Sequence, residues 1–340
     1  MNNLSKSFFE SGWVFDLKTD LVLFGSCTLI ALLFGFYFDS FSDFVFAYVL
    51  LDQSHIYTTY FFTYNSKRFS KKYKKILIGT PIFFLILSSI LVHFSDKNYL
   101  PFFGGIYAFI HFYKQQNAWF MIASSKEKKK FVFEKHVEKV LLFLSIAGPG
   151  LISMVYYVGR DGWRGPGDLP ILPDVVIPIV SYSWIVFFVF YLLIQIRKYQ
   201  LYKIISWGKH FHLLNSLLIW VIFRLEPFKK AQIYGLFLLL VPHAFPYFYI
   251  GIRYIKNRID KEEEFYISFP SKKLIMPFVY IVAVLITCGE LIYGQALQGL
   301  GDTYKIASIT IYTGVFTHFF LDGFVWKYKY HPEGLDFLKP

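Results

Sequence analysis

Four histidines lie inside stretches otherwise apolar enough to cross a bilayer: His55, His111, His243 and His318. Imidazole is a favoured ligand for iron, copper and zinc. A titratable group at bilayer depth costs about 2.5–3.5 kcal/mol on insertion scales, so it normally faces a protein interior and has a task there. Three of the four bring polar company at helical spacing. Asp52 stands three positions before His55, Gln115 four after His111 and Asp322 four after His318, so each pair shares a helix face. Such a set builds a three- or four-histidine metal centre. In it Asp52 and Asp322 orient imidazoles or shuttle protons, Gln115 fixes a ligand or a bound water, and Lys114 neutralises a carboxylate or meets an anionic group on a substrate.

The elements that must position these residues are membrane helices. Ten segments, 20–38, 43–64, 76–94, 100–124, 138–158, 174–196, 208–226, 231–251, 274–296 and 306–327, have the length and apolarity that a helix needs to span roughly 30 Å of hydrocarbon. The expected fold is therefore all-α, a polytopic membrane helix bundle forming one integral membrane domain over residues 1–340. The seventh and eighth segments also read as a re-entrant hairpin, because Arg224, Glu226, Lys229 and Lys230 crowd their connection. Lysine and arginine concentrate at both termini and in every second loop, a positive-inside pattern that puts the N- and C-termini in the cytoplasm of an inner or plasma membrane protein.

That topology gives the histidines one depth. Their four segments all run outside to inside, and 12, 15, 10 and 9 positions separate them from Lys67, Lys126, Arg253 and Lys327 at the inner ends. At about 1.5 Å per residue, the four fall within roughly 9 Å of a common level.

Composition agrees with a membrane chain and narrows the function. Of 340 residues, 55% are hydrophobic, 22% aromatic and only 17% charged, against about a quarter charged in soluble domains. The net charge of +12 comes from loop residues, and no nucleic-acid-binding pattern accompanies it, so nucleic acid is not an expected partner. Cys27 and Cys288 sit singly in apolar segments, with no CxxC, a pattern that supports neither a disulfide framework nor a zinc ribbon. The N-terminal 20 residues show no cleavable signal. His210 and His212 are expected in the headgroup region. The basic runs Lys67–Lys75 and Lys126–Lys130 read as solvated faces touching anionic lipid. Aromatics near the histidines, Tyr57, Phe112 and Tyr247 among them, read as core packing.

In Val241-Pro242-His243 with an apolar run into Arg253, in Ile110-His111-Phe112, and in His318 with Asp322, the chain resembles the Brp/Blh-type bacterial membrane β-carotene dioxygenases. The resemblance implies a polytopic protein that holds iron through dispersed histidines and oxidises a lipid-soluble isoprenoid. Two elements depart from that family: His55 is followed by Ile-Tyr-Thr-Thr, and His210 and His212 lie two rather than four apart. The HxxxH and HxxHH boxes of membrane desaturases are absent.

The expected function is a histidine-ligated, iron-dependent membrane oxidase or oxygenase. Its substrate is lipid-soluble (isoprenoid, carotenoid or acyl), and its partners are membrane lipids and an electron donor. Two other classes fit the same residues. Two histidines on facing helices ligate a haem in an electron-transfer protein. Alternatively, Asp52, His55, Lys114 and Asp322 form the relay of a proton-coupled transporter or channel.

Overall fold

The computed structural model describes residues 12–37, 50, 53–93, 100–127, 131–160, 173–223, 232–261, 264–267, 274–296, 302–327 and 335–338. Among these residues the fold is helical, with no strand beyond one isolated bridge between Ser66 and Phe265. The helices are α1 (Leu17–Asp20), continued through a π turn at Leu21–Gly25 into α2 (Ser26–Tyr37), then α3 (Ser54–Tyr64), α4 (Lys67–Lys72), α5 (Lys74–His93) and α6 (Leu100–Ser125). They continue as α7 (Glu134–Arg160), α8 (Val176–Tyr202), α9 (Trp207–Phe223), α10 (Gln232–Asp260), α11 (Ile275–Ala296) and α12 (Asp302–Val325). Each of the ten apolar segments thus carries a helix over its described part.

Local chemistry sets the helix ends. The Asp16 side chain accepts from Thr19 N at 2.9 Å and caps α1, and Ser66 Oγ does the same for Phe69 N ahead of α4. The Glu134 carboxylate opens α7 by accepting from Phe131 N at 3.1 Å. Lys203, in the left-handed region at φ 55, ends α8.

Two compact units make up the chain: residues 1–39, 112–243 and 338–340 form one, and residues 40–111 and 244–337 the other. In the first, Phe120, Leu141, Leu142, Ile146, Tyr191, Leu213 and Leu217 bring α6, α7, α8 and α9 together. Gly208 packs directly on the backbone of Gly12, itself at φ 83, where a Cβ would strike main-chain atoms. In the second, Phe84, Val92, Leu100, Ile309, Phe316 and Phe319 join α5, α6 and α12, and Phe69, Leu77, Leu321 and Val325 extend that core. A Cβ at Gly104 would lie 2.6 Å from the Tyr312 ring, so α6 and α12 approach closely there.

Among the described residues, α5 and α8 are long and apolar enough to cross a membrane, and α11 holds a shorter apolar run at Pro277–Glu290. The other helices carry the polar residues that lower their apolarity; α6 alone contains His111, Lys114, Gln115, Gln116 and Asn117. On α5 and α8 large apolar side chains face outward, with Phe83 60% and Tyr182 69% exposed.

Candidate metal centre

The second unit brings three of the four histidines together. His55 comes from α3, His111 from α6 and His318 from α12, and one ring nitrogen of each lies within 4.8 Å of the other two. All three are buried, with His318 entirely so. The His318 ring stands edge-on to His55 at 4.7 Å between centroids and to His111 at 5.1 Å. Phe319 stacks on His111 at 4.6 Å and shields it.

A hydrogen-bonded chain orients His318. Its Nδ1 lies 2.8 Å from Thr59 Oγ1, and that hydroxyl donates to Asp322 Oδ1 at 2.9 Å. With Asp322 ionised, the single Thr59 proton goes to that carboxylate and Thr59 accepts the Nδ1–H of His318, the tautomer that leaves Nε2 a lone pair. His318 Nε2 is left as a bare lone pair, buried and without a hydrogen-bond partner. Tyr247, from α10, donates to the same Asp322 oxygen at 2.9 Å while lying against the Thr59 hydroxyl. Asp322 turns its other oxygen toward His111, with Oδ2 3.7 Å from Nε2.

The donor set fits a divalent transition metal. In tetrahedral sites the metal–nitrogen distance is about 2.0–2.1 Å, which puts nitrogens roughly 3.3 Å apart, a contraction that small ring shifts supply. With Asp322 ionised, three neutral imidazoles and one carboxylate carry one negative charge, which a dication would reverse. The carboxylate–hydroxyl–imidazole chain is the kind of outer-shell support that metal-bound histidines use.

Comparison of the chain with protein-family models, with curated proteins and with solved structures returns no match. The site therefore stands on its own geometry.

Other expected site residues are placed differently. His243 belongs to the first unit, where its Nδ1 donates to Gln115 Oε1 and its carbonyl accepts from Gln115 Nε2 at 3.1 Å. Gln115 thus serves His243 through both amide atoms, although helical spacing from His111 assigned it elsewhere. Lys114 is exposed, so it does not supply a buried cation. Exposure follows from helical geometry, since Phe112 and Trp119 take the buried positions of this part of α6. Asp52 lies outside the described residues. Glu290 of α11 accepts from Gln53 Nε2 at 3.3 Å.

Thr59 and Tyr247 are the residues that sequence reading missed. Thr59 stands four after His55, the same spacing that marked Asp322. Tyr247 reads as one more aromatic in a chain with 26 tyrosines.

Two buried polar groups in the first unit were also unexpected. His212, expected among lipid headgroups, is buried with Nε2 3.0 Å from Asp20 Oδ2, and the Phe24 ring stands edge-on to it at 4.5 Å. Asp20 is held further by Val14 N at 2.6 Å and Phe15 N at 3.0 Å. His210 bonds the Tyr191 hydroxyl at 2.5 Å.

The second group is ionic. Glu127, Glu134 and Glu138 converge on Lys198 and Lys209. Lys209 Nζ is 3.1, 2.7 and 2.8 Å from the three carboxylates, and Lys198 Nζ is 2.6 Å from Glu127 and 2.9 Å from Glu134. All five side chains are buried. These oxygens also meet the spacing of a metal group, but two ammonium ions already occupy the cation positions. Burial alone would raise the Glu134 carboxyl; the Lys209 charge, with hydrogen bonds from Lys209, Gln195 and Lys198, holds it at about 2 instead.

Proposed function

We propose that this chain is a membrane-embedded metalloenzyme, an iron-dependent oxidase or oxygenase acting on a lipid-soluble substrate. One observation carries the reading: three buried imidazoles from three helices present ring nitrogens within 4.8 Å of one another. His55, His111 and His318 are the ligands. Asp322 is a fourth ligand or the carboxylate that sets ligand orientation. A dication held there by His55, His111 and His318 would keep positions open for oxygen or substrate, the arrangement that catalytic rather than structural sites use.

Iron is favoured over zinc by the resemblance to the β-carotene dioxygenase group, and by the oxidisable tyrosine beside the ligands. When bound, the metal supplies oxygen activation. The chain's own groups supply the rest. Thr59 and Asp322 hold the His318 ring, Phe319 covers His111, and Tyr247 donates a hydrogen bond to Asp322.

The membrane setting rests on the ten apolar segments, the alternation of basic loops, and the outward apolar faces of α5 and α8. Contiguous apolar surface of this kind is rare on soluble monomers. In this reading the chain is a ten-helix bundle with both termini cytoplasmic, and membrane lipids, an isoprenoid, carotenoid or acyl substrate and an electron donor are its partners.

The test is to purify the protein in detergent from iron-replete cells, then measure metal content and oxygen uptake with isoprenoid and acyl substrates. One iron per chain with substrate-dependent oxygen uptake supports the reading. A metal-free protein that moves solutes in liposomes contradicts it.

A further inference from the structure

Tyr247 does more than fill the core, because it stands between the histidine group and a tryptophan at the edge of the second unit. Its ring is 5.1 Å from that of His55 and 6.1 Å from that of His318. On its other side Trp326 is 5.6 Å away at 88°, just beyond the C-terminal end of α12. Tyr247 is 1% exposed, while Trp326 is half-buried and followed by the exposed Lys327. The two rings therefore make a contact path from a closed centre to a half-buried tryptophan.

Chemistry selects these two from the surrounding aromatics. Phe62 also touches both rings, at 6.3 and 6.4 Å, but a phenyl ring is not readily oxidised. Tyr254 lies 5.5 Å from Trp326, yet the Arg258 guanidinium sits 4.9 Å over its ring and donates to its hydroxyl, and a cation there makes removal of an electron harder. Tyr247 alone combines a phenol, contact with a candidate ligand and a carboxylate acceptor for its proton, Asp322 Oδ1 at 2.9 Å.

We propose that Tyr247 and Trp326 form a one-electron relay between the histidine-held metal and the edge of the protein. The proposal rests on the metal-centre reading. Where hydrogen peroxide had oxidised a bound metal by two electrons, its O–O bond broken and its oxygens reduced to the level of water, Tyr247 would return one of those electrons and pass the phenolic proton along its hydrogen bond to Asp322. Trp326 then reduces the Tyr247 radical, and the proton goes back from Asp322 to the phenol oxygen. A one-electron reductant of the ascorbate class refills Trp326 from solution. One electron has crossed and no proton is gained or lost by the relay.

The experiment uses full-length protein, its Tyr247→Phe and Trp326→Phe variants, and metal analysis of each. Iron(II)-loaded protein is mixed with hydrogen peroxide in the presence of ascorbate and freeze-quenched for electron paramagnetic resonance. The expected result is a transient tyrosyl signal, read per iron bound, that is lost in Tyr247→Phe and lives severalfold longer in Trp326→Phe. Iron-loaded protein that forms no tyrosyl radical, or one unaltered by either substitution, overturns the relay while leaving the metal centre standing. If no iron binds, the metal reading fails instead. The relay is then read by photo-oxidising the metal-free protein with ruthenium tris-bipyridine and persulfate, where a Tyr247 radical dependent on Trp326 supports the path and its absence overturns it.

Discussion

Thr59 is the residue on which the orientation of the site turns. Its one hydroxyl accepts from His318 and donates to Asp322, so it fixes which imidazole nitrogen is bare. Thr59→Val keeps the shape and removes both bonds; it is expected to weaken metal binding by about 10- to 100-fold, the usual range for outer-shell partners, as read by metal titration. Thr59→Ser is expected to restore binding. Tyr247→Phe keeps the His318 orientation through Thr59 and is expected to bind metal nearly as well as the parent. The histidines and Asp322 were legible in the sequence because polar groups at i and i+4 stand out against apolar helices. Thr59 has the same spacing from His55 but is neutral and common, so nothing in its type marks it. Gln115 shows the reverse error: spacing put it with His111, whereas its amide meets His243 from another helix, a pairing that only tertiary packing decides.

Helices were readable from runs of apolar residues; what crosses between them was not. Lys126–Lys130 reads as a solvated basic run, yet Glu127 within it is buried and joins Glu134, Glu138, Lys198 and Lys209. The five come from the α6–α7 connection, α7, α8 and the start of α9, so this cluster ties together the helices of the first unit. Removing one partner of a buried ionic group typically costs about 3–5 kcal/mol. Lys209→Met should lower the thermal midpoint accordingly, while its three carboxylates are left facing one another. Within the cluster Glu134 contributes acid sensitivity. Glu134 is held at about 2, below the ordinary value of roughly 4.3, so its stabilising contribution is complete above that ordinary value and is lost as pH falls toward 2. Unfolding followed by circular dichroism is expected to show a loss of stability across that window, smaller in Glu134→Gln. In the second unit, Gly104→Val would drive a side chain into the Tyr312 ring. Overpacking of that kind costs about 1–3 kcal/mol and should appear as a lower thermal midpoint.

At the scale of the molecule, apolar length and basic-loop alternation lead to the expectation of a bilayer-crossing bundle, while among the described residues α5 and α8 are long and apolar enough to cross one. The difference lies in what the remaining helices carry. α3, α6, α10 and α12 bring the histidines and their polar partners, and such residues dilute apolarity in the helices that build a buried site. The protein is expected to stay with membranes after alkaline carbonate extraction, and reporters fused to either terminus are expected to be active in the cytoplasm. The division into two compact units left no mark in the sequence, since its boundaries fall inside α6 and α10, at His111/Phe112 and His243/Ala244. It assigns His243 to the first unit and His55, His111 and His318 to the second, although residue counting from the basic loops gives all four one expected depth. Elemental analysis of the purified full-length protein and its single histidine variants tests the site most directly. One transition-metal ion per chain, lost in His55→Ala, His111→Ala and His318→Ala and kept in His243→Ala, is the result predicted. A protein without stoichiometric metal, or one whose metal survives all three substitutions, would contradict it.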